Sequence, residues 1–163
     1  MDKKVRLGDR ELDTIIGSGK RGAIVSMVDR ASKLTKLEKV NQKSAKEVQD
    51  ALIKKLSPLK DVVLTLTTDN GKEFANHKKI SKKLKADFYF AKPYHSWERG
   101  LNEHTNGLAR QYLPKGKKFD DISKKTLMEI ELLLNNRPRK VLNFLTPLEA
   151  FAQLKVKNVT PLS

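Results

Sequence analysis

Three acidic side chains stand at points where an acid is a costly choice: Asp13, Asp69 and Glu103. Asp13 is flanked by Leu12, Thr14, Ile15 and Ile16, a strand-like context in which a carboxylate needs either a wet face or a partner. Asp69 follows the run of β-formers from Val62 to Thr67 and heads Asp69-Asn70-Gly71-Lys72-Glu73-Phe74. Glu103 lies in a helical segment, within Arg99-Gly100-Leu101-Asn102-Glu103-His104-Thr105-Asn106-Gly107. A strand end and a helix can bring carboxylates together to hold a hard divalent cation through oxygen. Three such groups can hold two Mg2+ ions about 3.5 to 4 Å apart, one activating the attacking oxygen of a phosphodiester reaction and the other stabilising the leaving oxygen. Without metal the three charges repel one another, so metal binding should tighten the site.

Composition limits the alternatives. The 163 residues suffice for one domain with a real core. Lys and Arg outnumber Asp and Glu by 34 to 19, a net charge of +15 that favours a polyanionic partner, DNA or RNA before others. A well-solvated basic surface and a ribosomal-type RNA binder are the plainer alternatives on charge, which by itself names no chemistry. The absence of cysteine excludes disulfides and thiolate metal sites, and His77, His95 and His104 are too scattered for a zinc motif. No apolar run approaches the roughly 20 residues of a membrane span. The first residues, Met1-Asp2-Lys3-Lys4-Val5-Arg6, lack a signal-peptide core. A cytoplasmic protein with no membrane partner is expected.

The elements that must position the acids can be read in order. Residues 1–8 form a basic lead-in, and from Arg10 the alternation of Leu12, Thr14 and Ile16 with Glu11, Asp13 and Ile15 predicts a strand. Gly17 to Gly22 is a turn that lacks the pattern of a phosphate-binding loop. Ala23 to Val28 and Leu34 to Val40 complete an antiparallel meander. Ser44 and Glu47 have capping-box spacing, so a helix runs from about 44 to 56 and closes near Pro58. The continuous run Val62 to Thr67 predicts a central strand buried on both faces. A helix over about 74–84, a strand at 87–90, a loop at 93–99, helices over about 99–112 and 123–135, and a short helix at 146–151 follow. This order predicts an α/β fold, a mixed five-stranded central sheet flanked by helices. The expected division is 1–8 lead-in, 9–152 catalytic core and 153–163 frayed tail.

Each acid also has a plainer reading. Asp13 could face water from an edge strand. Asn70-Gly71 could be a hairpin turn, but Phe74, His77, Ile80 and Leu84 fall at helical spacing and favour a strand-to-helix connection. That leaves Asp69 at the carboxyl end of a strand, where ligand sites of α/β sheets gather. In the Glu103 segment, Leu101, Leu108 and Tyr112 mark one buried stripe, with Arg99, Glu103, Asn106, Gly107 and Arg110 opposite. The plain alternative there is an exposed helix with Glu103 paired to Arg110. His95, Trp97 and Arg99 belong to the loop entering that helix, a loop expected to be mobile without DNA. Lys72, Arg99, Arg110, Lys115, Lys117 and Lys118, with Asn106, are the candidate DNA contacts, because clustered carboxylates repel DNA unless cations offset them.

Five segments together resemble the catalytic core of an insertion-sequence transposase. They are Glu11 to Gly17, Thr68 to Phe74, Pro93 to Gly100, Asn102 to Leu108, and Leu134-Asn135-Asn136-Arg137-Pro138-Arg139-Lys140. The pattern is similar to the IS-thirty family, within the D-D-E transposases and retroviral-type integrases, over about residues 7 to 152. The resemblance implies an RNase H-like fold, with Asp13, Asp69 and Glu103 as catalytic and metal-binding residues. It also implies two Mg2+ or Mn2+ ions, DNA partners in the form of transposon ends and target, and a homo-oligomer when active in the bacterial nucleoid. Two departures are visible. Arg10 stands where members usually carry Trp, and the helix-turn-helix region that reads element ends is not in this sequence, as expected of an isolated domain or truncated copy. A nuclease that only hydrolyses and an inactive nucleic-acid-binding remnant are the competing readings.

Overall fold

The computed structural model describes residues 5–91, 106–113 and 116–159. The first three strands are β1 (Asp9–Ile16), β2 (Ala23–Asp29) and β3 (Thr35–Val40), joined antiparallel as the short links require. Helix α1 (Ala45–Leu56) starts where expected: the Ser44 side chain accepts the Glu47 N–H, and Glu47 reaches back to the N–H groups of Asn41 and Gln42. β4 (Thr65–Thr68) and β5 (Asp87–Phe90) run parallel to β1, with α2 (His77–Leu84) crossing between them. The result is a five-stranded mixed sheet in the order β3-β2-β1-β4-β5.

Helices cover both faces. Leu12, Val25, Met27 and Leu66 pack against Val48, Leu52, Leu56, Ile80 and Leu84 of α1 and α2. On the other face Ile15, Ile24 and Leu37 meet Ala109 and Leu113, which lie in and just after the described part of α3 (residues 106–110), and Leu127, Ile130 and Leu134 of α4 (Lys124–Asn135). α4 also closes one edge of the sheet. Asn135 accepts the Thr35 N–H at 2.9 Å and donates to the Thr35 carbonyl at 2.8 Å, while Glu131 accepts the Leu37 N–H at 2.8 Å. Side chains thus satisfy the outer groups of β3 that would otherwise invite a further strand.

Three boundaries differ from expectation. The strand expected from Val62 starts only at Thr65, because residues 57–62 coil in 3-10 turns and the N–H groups of Leu64 and Thr65 turn to the Gly8 carbonyl. The helix expected from Phe74 begins at His77, preceded by a 3-10 turn at Lys72–Phe74. The short last helix extends as α5 (Pro147–Val159), since Glu149 to Val159 contains no Gly or Pro to stop it. Residues 153–159 are therefore helical, not frayed. Among the described residues no helix is long and apolar enough to cross a membrane.

Candidate active site

Alternation along β1 assigns the side chains to faces. Leu12 points to the α1/α2 core and Ile15 to the α3/α4 core, so Asp13 shares the α3/α4 face with Glu11 and Ile15. The parallel register sets Asp9 beside Thr65, Arg10 beside Leu66 and Glu11 beside Thr67. Carried two residues further, it brings Asp69, the first residue after β4, level with Asp13 on the same face. Adjacent strands lie about 4.8 Å apart. The register therefore directs Asp69, just past the carboxyl end of β4, to the side of Asp13 in the middle of β1, and the edge-strand reading of Asp13 fails because β1 is the centre of the sheet. The hairpin reading of Asn70-Gly71 fails because β4 and β5 are parallel.

α3 supplies the third wall. Asn106 donates through Nδ2 to Asp13 Oδ2 at 2.9 Å, and its Oδ1 accepts the Ser26 hydroxyl at 3.2 Å. Ser26 is the residue directly opposite Asp13 in the β1–β2 register. Because the Ser26 hydroxyl occupies the amide oxygen, the amide nitrogen is aimed at the carboxylate, which stays an acceptor. Asp13 also accepts the Thr14 N–H at 2.8 Å. Asp69 accepts the Gly71 N–H at 3.2 Å, an Asx-type turn that leads the chain away from the sheet.

Behind the acids lies a second carboxylate. Glu73 is buried and accepts the Thr14 hydroxyl at 3.2 Å, with the Lys43 ammonium at 3.2 Å as counter-charge. It braces the loop bearing Asp69 against the strand bearing Asp13. The fit is close: a Cβ added at Gly71 would meet the Glu73 carboxylate, which would have to shift.

The expected cations divide into those near the acids and those outside the described residues. Arg110 donates to the Ile16 carbonyl at 2.8 Å and lies over the Phe119 ring at 5.8 Å. Lys117 and Lys118 are exposed, and the Lys117 carbonyl takes the Ser18 N–H at 3.1 Å, so both sit at the carboxyl end of β1. Lys72 is exposed on the turn after Asp69. Glu103, Arg99, Lys115, His95, Trp97 and the 93–99 loop lie outside the described residues. The stripe expected on α3 is corrected in phase: Ala109 and Leu113 are the fully buried positions, with Leu108 and Tyr112 packed at their sides. A stripe judged by large side chains overlooks an alanine that lets the helix approach the sheet.

The donor set suits a hard cation. Among the described residues no three metal-binding side chains assemble, but two paired carboxylates, with Asn106 holding one of them, offer only oxygen to an ion and repel each other without it.

The comparisons with known proteins bear directly on this site. Residues 11–96, which begin two positions before Asp13 and include Asp69, match the family model described as the integrase core domain. The chain belongs to the integrase core domain family. This integrase core is 50% identical over 158 residues to the transposase for insertion sequence element IS4351 of Bacteroides fragilis, an alignment covering 97% of this chain and 48% of the relative. It is 38% identical over 150 residues to transposase InsI for insertion sequence element IS30A of Escherichia coli strain K12, covering 91% of this chain and 39% of the relative. The chain thus spans about half the length, or less, of these relatives, which are transposases of the IS-thirty type. Among solved structures, the catalytic core domain of BIV integrase matches with a TM-score of 0.71 at 19% identity, over 94% of this chain and 99% of that one. That likeness is one of fold, and it bears out the RNase H-like expectation.

Ser26, Thr14, Glu73 and Lys43 were not singled out by the sequence. Ser26 had a signal, a hydroxyl inside the apolar strand Ala23 to Val28; Glu73 and Lys43 had none, because their meeting depends on the packing of α1 beside the Asp69 loop.

Proposed function

We propose that this integrase core cuts and joins DNA by metal-dependent phosphoryl transfer. The observation that carries the proposal is the parallel register of β1 and β4, which directs Asp69 beside Asp13, with Asn106 bonded to Asp13. Asp13, Asp69 and Glu103 are the assigned metal ligands; Glu103 lies one helical turn before Asn106 in sequence, the spacing that shares a helix face. Two Mg2+ or Mn2+ ions would supply positive charge at the attacking and leaving oxygens. Water first breaks a phosphodiester bond to free a 3′-hydroxyl, and that hydroxyl then displaces a 3′-oxygen in target DNA. Asn106 orients Asp13, whereas Arg110, Lys117, Lys118 and Lys72 offset phosphate charge. The whole reaction, with transposon ends and target as substrates and a homo-oligomer as the working form, is assigned by analogy with the longer relatives.

A strand-transfer assay on pre-cut DNA ends, with Mg2+ and with EDTA, tests this. Joined product that requires Mg2+ is expected; hydrolysis without joining would indicate a nuclease, and metal-independent binding alone a remnant. Two further outcomes follow. Asn106→Ala is expected to weaken divalent-metal binding about 10- to 100-fold by titration calorimetry, because ligand-orienting partners carry effects of that size. Replacing Lys117 and Lys118 together by Ala is expected to make the slope of log affinity against log salt shallower by about two on duplex DNA, equally for all sequences. An unchanged slope would remove both from the DNA surface.

A further inference from the structure

The sheet has two edges, and they are treated differently. β3 is capped by Asn135 and Glu131 of α4, whereas β5 forms the other edge and carries aromatic side chains. The β4–β5 register sets Phe88 beside Leu66 and Phe90 beside Thr68, so these two rings share the α2 face, where Leu66 packs. Tyr89, beside Thr67, points to the face of Asp13. Phe88, Phe90 and His77 form a ladder with ring centroids 5.0 to 5.7 Å apart, which runs outward from the buried Phe74. Its outer ring stays open to solvent, Phe90 being 36% exposed, and on the other face of the strand Tyr89 is 53% exposed. An open hollow of about 500 Å3 lies at this edge, lined by His77, Lys78, Ser81, Lys82, Phe88 and Tyr89, with Asp87 at its rim.

The charge here has one sign along the helix. Residues 77–85 contain Lys78, Lys79, Lys82, Lys83 and Lys85, all exposed, and no acid. Lys78 and Lys82 recur at one-turn spacing on the side of His77 and Ser81 and line the hollow. A solubility surface would mix the two signs and avoid exposed rings. Aromatic faces flanked by a row of cations are what an unpaired nucleic-acid strand requires, since bases stack on rings and phosphates meet lysines. A duplex keeps its bases stacked inside and gains little from the rings.

We propose that the β5–α2 edge is a binding site for single-stranded DNA, in which bases stack on Tyr89 and Phe90, exposed on the two sides of the edge, and Lys78 and Lys82 hold the phosphates. It rests on the DNA-processing reading above. Phe90 pairs with Thr68, the residue before Asp69, and the Ala91 N–H bonds the Thr68 carbonyl at 2.7 Å. The edge therefore ends one residue short of Asp69, and its Tyr89 side shares the face of Asp13, the approach that the unpaired flank of a frayed DNA end needs.

The test uses a fluorescein-labelled 12-nucleotide oligothymidine and a 12-base-pair duplex, both in EDTA, with binding read by anisotropy. Tyr89→Ala with Phe90→Ala is expected to weaken the oligothymidine roughly 5- to 150-fold per stacked base and the duplex about twofold or less. Lys78→Ala with Lys82→Ala should weaken both and flatten their salt dependence. In the wild-type chain, an oligonucleotide carrying 5-iodouracil should crosslink on irradiation to Tyr89 or Phe90, located by mass spectrometry, a readout that does not depend on the variants folding. Equal losses for oligothymidine and duplex, or crosslinks only elsewhere, would overturn the proposal. Because metal is absent, these outcomes are separate from the joining reaction, which requires it.

Discussion

Asp69→Asn is expected to reduce DNA joining by roughly a thousandfold, about 4 kcal/mol of transition-state stabilisation, with the fold intact. The substitution is nearly isosteric. An asparagine Oδ1 can still accept the Gly71 N–H that shapes the turn, so the path from β4 towards α2 is kept. The lost item is a negative charge beside Asp13, and in the absence of metal its loss relieves repulsion. The unfolding temperature without metal should therefore hold or rise slightly. Adding Mg2+ should raise it for the wild type, because a ligand bound only by the folded state stabilises that state, and should raise it much less for Asp69→Asn. Asp13→Asn should follow the same pattern. Joining at near wild-type rate by either variant, measured on pre-cut ends at saturating Mg2+, would remove the acids from the chemistry.

Asp29→Ala is expected to destabilise the chain by about 3 to 5 kcal/mol, a fall of roughly 6 to 20 °C in Tm for a domain of this size. Asp29 is buried at the end of β2, where its carboxylate accepts the Gly8 N–H at 2.7 Å and the Ser32 N–H and hydroxyl, each at 2.7 Å. Opposite it in the register stands Arg10, fully buried, whose guanidinium has no hydrogen-bond acceptor among the described residues. Burial pushes the Arg10 pKa down, and the Asp29 charge is what opposes that. Removing Asp29 leaves three donors unmatched and a buried cation without its counter-charge. Removing the cation should act the other way: Arg10→Met is expected to be neutral or stabilising by about 1 to 4 kcal/mol, because Asp29 keeps its three donors. Urea denaturation of both variants checks the asymmetry. A strongly destabilised Arg10→Met would contradict it and show that Arg10 has a partner of its own.

What could be read from the sequence followed from local rules, and what was missed depended on long-range packing. Asp13 and Asp69 announced themselves because an acid within an apolar strand and an acid at a strand end conflict with local preference. Their approach needed only the parallel order of β1 and β4, which the helix between the third strand of the meander and β4 already suggested. The phase of α3 slipped because Ala109 is small, and the start of β4 slipped because Gly8 takes two of its approaching N–H groups. Glu73 with Lys43, and Asp29 with Arg10, are charges of ordinary appearance in sequence. Their burial follows from which strands and helices enclose them. Arg10 was noticed only as a departure from a usual Trp; its setting shows why an apolar ring would suit a position on the α1/α2 face.

The central claim, that Asp13 and Asp69 with Glu103 form one metal site, is tested most directly by anomalous diffraction from crystals of this chain soaked in Mn2+. The account predicts two peaks about 3.5 to 4 Å apart, one within bonding distance of both Asp13 and Asp69 and the other shared with Glu103. Mn2+ bound only at other side chains, or a site where Asp13 and Asp69 contact no ion at saturating metal, would contradict it.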